Sequence, residues 1–186
     1  MKRRRLKVLP LLVFVLSAVA SADPIHAIAD GAYWHHDSGW VFAQKIGEFA
    51  LVGIPQDVAG SREAVAYYAR TDSGVRTVAA VEVYPADSAA SGATLEAAKA
   101  HIEQKNEGGV KQKSEDSLAI GPGETPRATR VVYASASGSA TTVLYFIAMR
   151  DWRIRIEVKV PASDAHTLPA LNAFVRGQRW DSLSGN

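Results

Sequence analysis

His35-His36-Asp37 is the first place in the sequence with the residue types for chemistry: two imidazoles and a carboxylate, all good metal donors. Adjacent side chains on an extended chain point in opposite directions. A single metal needs its ligands on one face, as His-x-x-x-His provides on a helix. His26, His101 and His166 are scattered without ligand spacing, so no metal and no cofactor is expected. Nucleophilic chemistry would have to use Ser or Thr, because the chain has no cysteine. No Gly-x-Ser-x-Gly elbow occurs, and Ser137-Gly138-Ser139 reads as a hairpin turn. Scattered residues can still assemble a triad. A small periplasmic hydrolase is therefore an alternative reading, with no catalytic residue assigned.

The cations offer more. Arg153, Arg155, Glu157 and Lys159 alternate with Ile154, Ile156, Val158 and Val160, the two-residue period of a strand with one apolar and one wet face. Arg150 stands at the turn before this strand. Arg127 and Arg130 lie on an earlier strand, on its opposite faces. Arg153, Arg155, Lys159, Arg150 and Arg130 are the candidate binding residues, for an anionic headgroup, a glycan or an acidic envelope protein. The competing reading is a solvated face with cross-strand pairs that include Glu157. On the binding reading, Arg153→Ala with Arg155→Ala abolishes binding with little loss of stability. Tyr33, Trp34 and Trp40 are expected to cover one end of the core, and Trp152 and Trp180 to be structural.

The elements that position these residues follow from period and turn chemistry. Strands are expected at 40–46, 49–54, 63–70, 77–84, 111–120, 127–136, 141–149 and 152–160, the first five and the rest separated by turn signals such as Asp72-Ser73-Gly74 and Gly121-Pro122-Gly123. The stretch 141–149 is apolar at nearly every residue, which predicts a central strand covered on both faces. Residues 90–106 switch to helical spacing at Leu95, Ala98 and Ile102, with Ser91 or Thr94 as cap and Gly108 beyond the end. A last helix runs from Asp164 or Leu168 to Gln178, with Leu168, Leu171 and Val175 as its stripe and Phe174 and Trp180 as anchors. Strands, helix, strands, helix is the order of an α+β domain with an antiparallel sheet. A doubly wound parallel sheet would need a glycine fingerprint that the chain lacks.

The start of the chain reads as a secretory signal. Lys2, Arg3, Arg4, Arg5 and Lys7 precede an apolar run at 8–19, and Ala20-Ser21-Ala22 offers a small-x-small cleavage site. The run is shorter than the roughly 20 residues of a spanning helix and contains Pro10. Cleavage near Ala22 would leave a periplasmic or secreted protein that does not span the membrane. It would remove five of the 21 Lys and Arg and none of the 19 Asp and Glu, so the remaining 164 residues carry −3 rather than the precursor's +2. No nucleic-acid partner is expected, because the positive balance belongs to the signal. The expected organisation is a signal at 1–22, an irregular arm at 23–39, one domain at 40–180 and a tail at 181–186.

Phe42, Ile46-Gly47-Glu48-Phe49, Tyr67-Tyr68 and Val81-Glu82-Val83-Tyr84-Pro85 form a pattern that resembles a group of uncharacterised exported proteobacterial proteins. The element order over residues 40–180 also resembles the PsbP-like α/β/α sandwich, an antiparallel sheet flanked by helices. That resemblance implies an accessory or binding role and supplies no functional residues. The expected function is an exported, non-catalytic binding or accessory module for an anionic ligand or envelope protein. An envelope-stress factor acting on other proteins is a further alternative.

Overall fold

The computed structural model describes residues 24–58, 62–88, 93–106, 109–121, 125–161 and 167–183. The expected signal at 1–22, the Gly108 cap, the middle of the Gly121–Pro126 loop, the helix start at Asp164 and the end of the tail lie outside those residues.

Antiparallel sheet dominates the regular structure of the described residues. The main sheet is built from β4 (Lys45–Ile46), β5 (Phe49–Leu51), β6 (Gln56–Asp57), β7 (Ala64–Asp72), β8 (Val75–Pro85), β9 (Val110–Ala119), β10 (Arg127–Ser135), β11 (Ala140–Ala148) and β12 (Trp152–Pro161). Its order is β4-β5-β7-β8-β12-β11-β10-β9, with β6 beside β7. Two helices, α1 (Leu95–Lys105) and α2 (Thr167–Arg176), complete an α+β fold.

Hairpins set the register. Ser73 and Gly74 both take positive φ, at 48° and 81°, between the facing residues Asp72 and Val75. That backbone matches the twist of a two-residue hairpin, and glycine adopts it without steric cost. β11 is interior and buried on both faces from Thr142 to Ile147, as its continuous apolar run predicts.

Each face of the sheet carries one helix. On the inner face, Ile154, Ile156 and Val158 of β12 join Val81 and Val83 of β8 and Tyr145 of β11 in the larger core. Leu171, Phe174 and Val175 of α2 seal it. Phe174 packs on Phe49 and Tyr68, with ring centroids 4.7 and 5.1 Å apart. Gly177, just past α2, lies so close to β4 that a Cβ there would sit 2.8 Å from Ile46 Cγ2. On the outer face, Ala98 and Ile102 of α1 pack on Val131, Tyr133, Leu144 and Phe146. Thr94 caps this helix by accepting a hydrogen bond from the Ala97 N–H at 3.1 Å.

Three expectations need correction. Residues 23–39 are not an irregular arm: β1 (Ile25–Ala27) pairs with β2 (Tyr33–His35), which pairs with β3 (Val41–Phe42). Each strand is only two or three residues long, too short to display a period, and a domain boundary at 40 would cut this sheet. Nor is 40–46 one strand, since β3 serves the small sheet and β4 the large one. Finally, Leu168 does not belong to the buried stripe of α2; it is 37% exposed, and Phe174 takes its place.

Candidate functional site

The structure disperses the five candidate cations. Arg155 is 5% exposed on the outer face, beside Phe146, on which α1 packs. Its Nη2 donates to Glu82 Oε1 at 2.8 Å and lies 2.6 Å from Oε2. Register explains the pair, because Arg155 and Glu82 face each other across β12 and β8. Burial opposes the charge, but the Glu82 carboxylate overrides it and holds the guanidinium above its ordinary pKa. Nε and Nη1 of Arg155 are buried without a hydrogen-bond partner among the described residues.

Arg153 turns back on its own hairpin, donating from Nη1 to the carbonyls of Met149 at 2.7 Å and Trp152 at 2.9 Å. Arg150 is exposed at that turn, 3.9 Å from Asp151. Arg130 lies on the other face, opposite Tyr145. It grips Asp116 through Nε and Nη2 at 3.0 and 2.6 Å and reaches Asn172 of α2 at 3.2 Å. Lys159 alone is both exposed and on the outer face; with Lys105, Ser135, Ser137 and Ser139 it lines a polar pocket of about 310 Å³. Glu157 pairs with Lys105 of α1. The charged face of β12 is therefore largely covered, neither a free cationic surface nor a solvated one. Its alternation cannot reveal that a helix from another part of the chain lies over it.

His35 and His36 point to opposite sides of the small sheet. His36 is exposed and packs on Trp34, with centroids 5.2 Å apart. His35 is fully buried, 2.7 Å from the Ser38 hydroxyl through Nδ1, and meets Trp152 edge-on at 5.9 Å. Ser38 Oγ also accepts the Trp40 N–H at 3.1 Å. This His–Ser contact, which sequence reasoning missed, pins the β2–β3 turn: both groups are buried, and Ser38 Oγ ties the pair to the Trp40 backbone, while His35 Nε2 has no hydrogen-bond partner among the described residues. Among the described residues, no group of three or more His, Cys, Asp or Glu side chains could hold a metal ion.

The feature with room for a partner is the half of the outer face that α1 leaves open. Pairing places Val65, Tyr67 and Ala69 of β7 opposite Glu82, Ala80 and Val78 of β8. Four large apolar residues are exposed on or beside this surface: Val52 (41%), Val58 (44%), Tyr67 (45%) and Val78 (38%). Val52 N–H donates to the Tyr67 carbonyl at 2.8 Å, so β5 extends the same surface past β7. At one end the face dips into a cavity of about 240 Å³ lined by Val58, Glu63, Val65, Tyr67, Glu82 and Tyr84. Its carboxylates are held in place: Glu82 by Arg155, and Glu63 Oε1 by the Ser88 hydroxyl at 2.5 Å. Burial pushes the Tyr84 phenol far above its usual pKa, so it stays protonated.

The sequence predicts a strand at 63–70, and Val65, Tyr67 and Ala69 share the face of it that the structure leaves open. Ala64, Ala66 and Tyr68 make the opposite face equally apolar, so local pattern does not say which is covered. Neither a protein-family model nor a curated protein matches the chain.

Proposed function

We propose that this chain is an exported, non-catalytic binding module that meets an envelope protein through the open half of its outer sheet face. The observation that carries the reading is the run of exposed Val52, Val58, Tyr67 and Val78 on one side of a sheet whose other half is covered by α1. Contiguous apolar surface of this kind marks interaction sites. Export rests on the basic, apolar and small-residue order of residues 1–22. Among the described residues no helix is long and apolar enough to cross a membrane. A PsbP-like relationship is supported by the element order, with an antiparallel sheet between two helices, and fits an accessory role by analogy.

A second reading keeps a small anionic ligand. It is favoured by the pocket that Lys105, Lys159, Ser135, Ser137 and Ser139 line together. Native mass spectrometry of protein recovered from the periplasm separates the two. The first reading predicts a chain that begins near Asp23 and carries a second polypeptide lost in Tyr67→Asp. A discrete small extra mass, lost in Lys159→Ala and retained in Tyr67→Asp, would favour the second.

A further inference from the structure

We infer that the cavity between β7 and β8 receives a lysine or arginine side chain of the protein partner, an assignment that rests on the partner-binding reading above. Its volume of about 240 Å³ falls below the roughly 300–1,000 Å³ of typical small-molecule pockets, so it suits one side chain. Its walls combine two features that recognise an organic cation. The first is aromatic. Tyr67 lines the cavity and is 45% exposed, and aromatic rings attract ammonium and guanidinium groups; Tyr84, also in the wall, is buried.

The second is charge. Two carboxylates, Glu63 and Glu82, line the cavity, against one guanidinium, Arg155, behind them. The second nearby guanidinium, on Arg153, is turned to the carbonyls of Met149 and Trp152. The balance favours a cation and opposes an anion. Val58 and Val65 add apolar wall that suits the methylene stem of a long basic side chain. Arg155 acts here as a positioning residue: it fixes Glu82 from the adjacent strand and does not line the cavity. The partner segment is therefore basic at one point and apolar beside it, where it crosses Tyr67 and Val78.

The test is an NMR titration of the ¹⁵N-labelled protein with N-acetylarginine amide and, separately, its neutral isostere N-acetylcitrulline amide. The arginine probe is expected to shift the Val58, Val65 and Tyr67 amides saturably, and the citrulline probe to leave them in place. Glu63→Gln should weaken the arginine probe about tenfold, the scale of one charge-assisted hydrogen bond. Tyr67→Leu, which keeps apolar bulk and loses the ring, should weaken it as well. Equal shifts from both probes, or none from either, overturn the assignment; if the polypeptide complex persists in native mass spectrometry, the partner reading survives that result. Arginine binding without any such complex would instead mark a site for a free cation and overturn the partner assignment.

Discussion

Arg155 holds both carboxylate oxygens of Glu82 with a single guanidinium nitrogen, at 2.8 and 2.6 Å, across the adjacent strands β12 and β8. The pair lies where the covered and open halves of the outer face meet. It joins the buried charge of one to the cavity wall of the other.

Breaking the pair from either side should cost stability. Arg155→Ala removes packing beside Phe146 and leaves Glu82 unmatched. Glu82→Ala strands a buried guanidinium, two of whose nitrogens have no hydrogen-bond partner among the described residues. Each should destabilise by about 3 kcal/mol, while an apolar replacement of both residues costs less than either single change. Urea unfolding of the two single variants and the double variant measures this. The sequence-based expectation that Arg153→Ala with Arg155→Ala costs little stability is replaced by this one.

Phe174 and Leu168 should separate cleanly in the same assay. Phe174→Ala removes a fully buried ring that packs on Phe49 and Tyr68, and should cost about 3–5 kcal/mol. Leu168→Ala, at an exposed position, should stay within about 0.5 kcal/mol.

Stability should fall on mild acidification, and His35 should account for part of the fall. Burial lowers its pKa below 6.5; Asp37 and Asp57 oppose that shift, while Arg62 and His36 add to it. A histidine whose folded pKa is depressed favours the neutral form in the native state and binds a proton more readily once unfolded. Its stabilising contribution is present above pH 6.5 and is lost as pH falls below that value. His101 is shifted in the same direction, chiefly by burial. Urea midpoints should therefore drop between pH 7 and about pH 5. The slope should flatten in His35→Asn; an unchanged slope would remove His35 as a contributor.

Much of the architecture is legible in the sequence, and particular residues show where legibility stops. Ile154, Ile156 and Val158 declare the inner face of β12 by alternation, and Leu95, Ala98 and Ile102 declare α1 by spacing. Thr94 is readable as a cap because its hydroxyl precedes the first turn. Each is a local signal, carried within one element. Arg155 is misread because its burial depends on a helix some fifty residues earlier and on a carboxylate 73 positions away. The small β1–β3 sheet escapes because two- and three-residue strands have no measurable period. The open half-face escapes because β7 is apolar on both sides, so only the placement of α1 distinguishes them.

The most direct test of the central claim is photocrosslinking in the periplasm with a benzophenone amino acid placed at Tyr67, at Val78 and, as a control, at Lys113 on the exposed strand β9. The account predicts the same discrete protein adduct from Tyr67 and Val78, none from Lys113, and loss of the Tyr67 adduct when Val78→Asp is added. Equal adduct patterns from all three positions, or none from the two face positions, would contradict it.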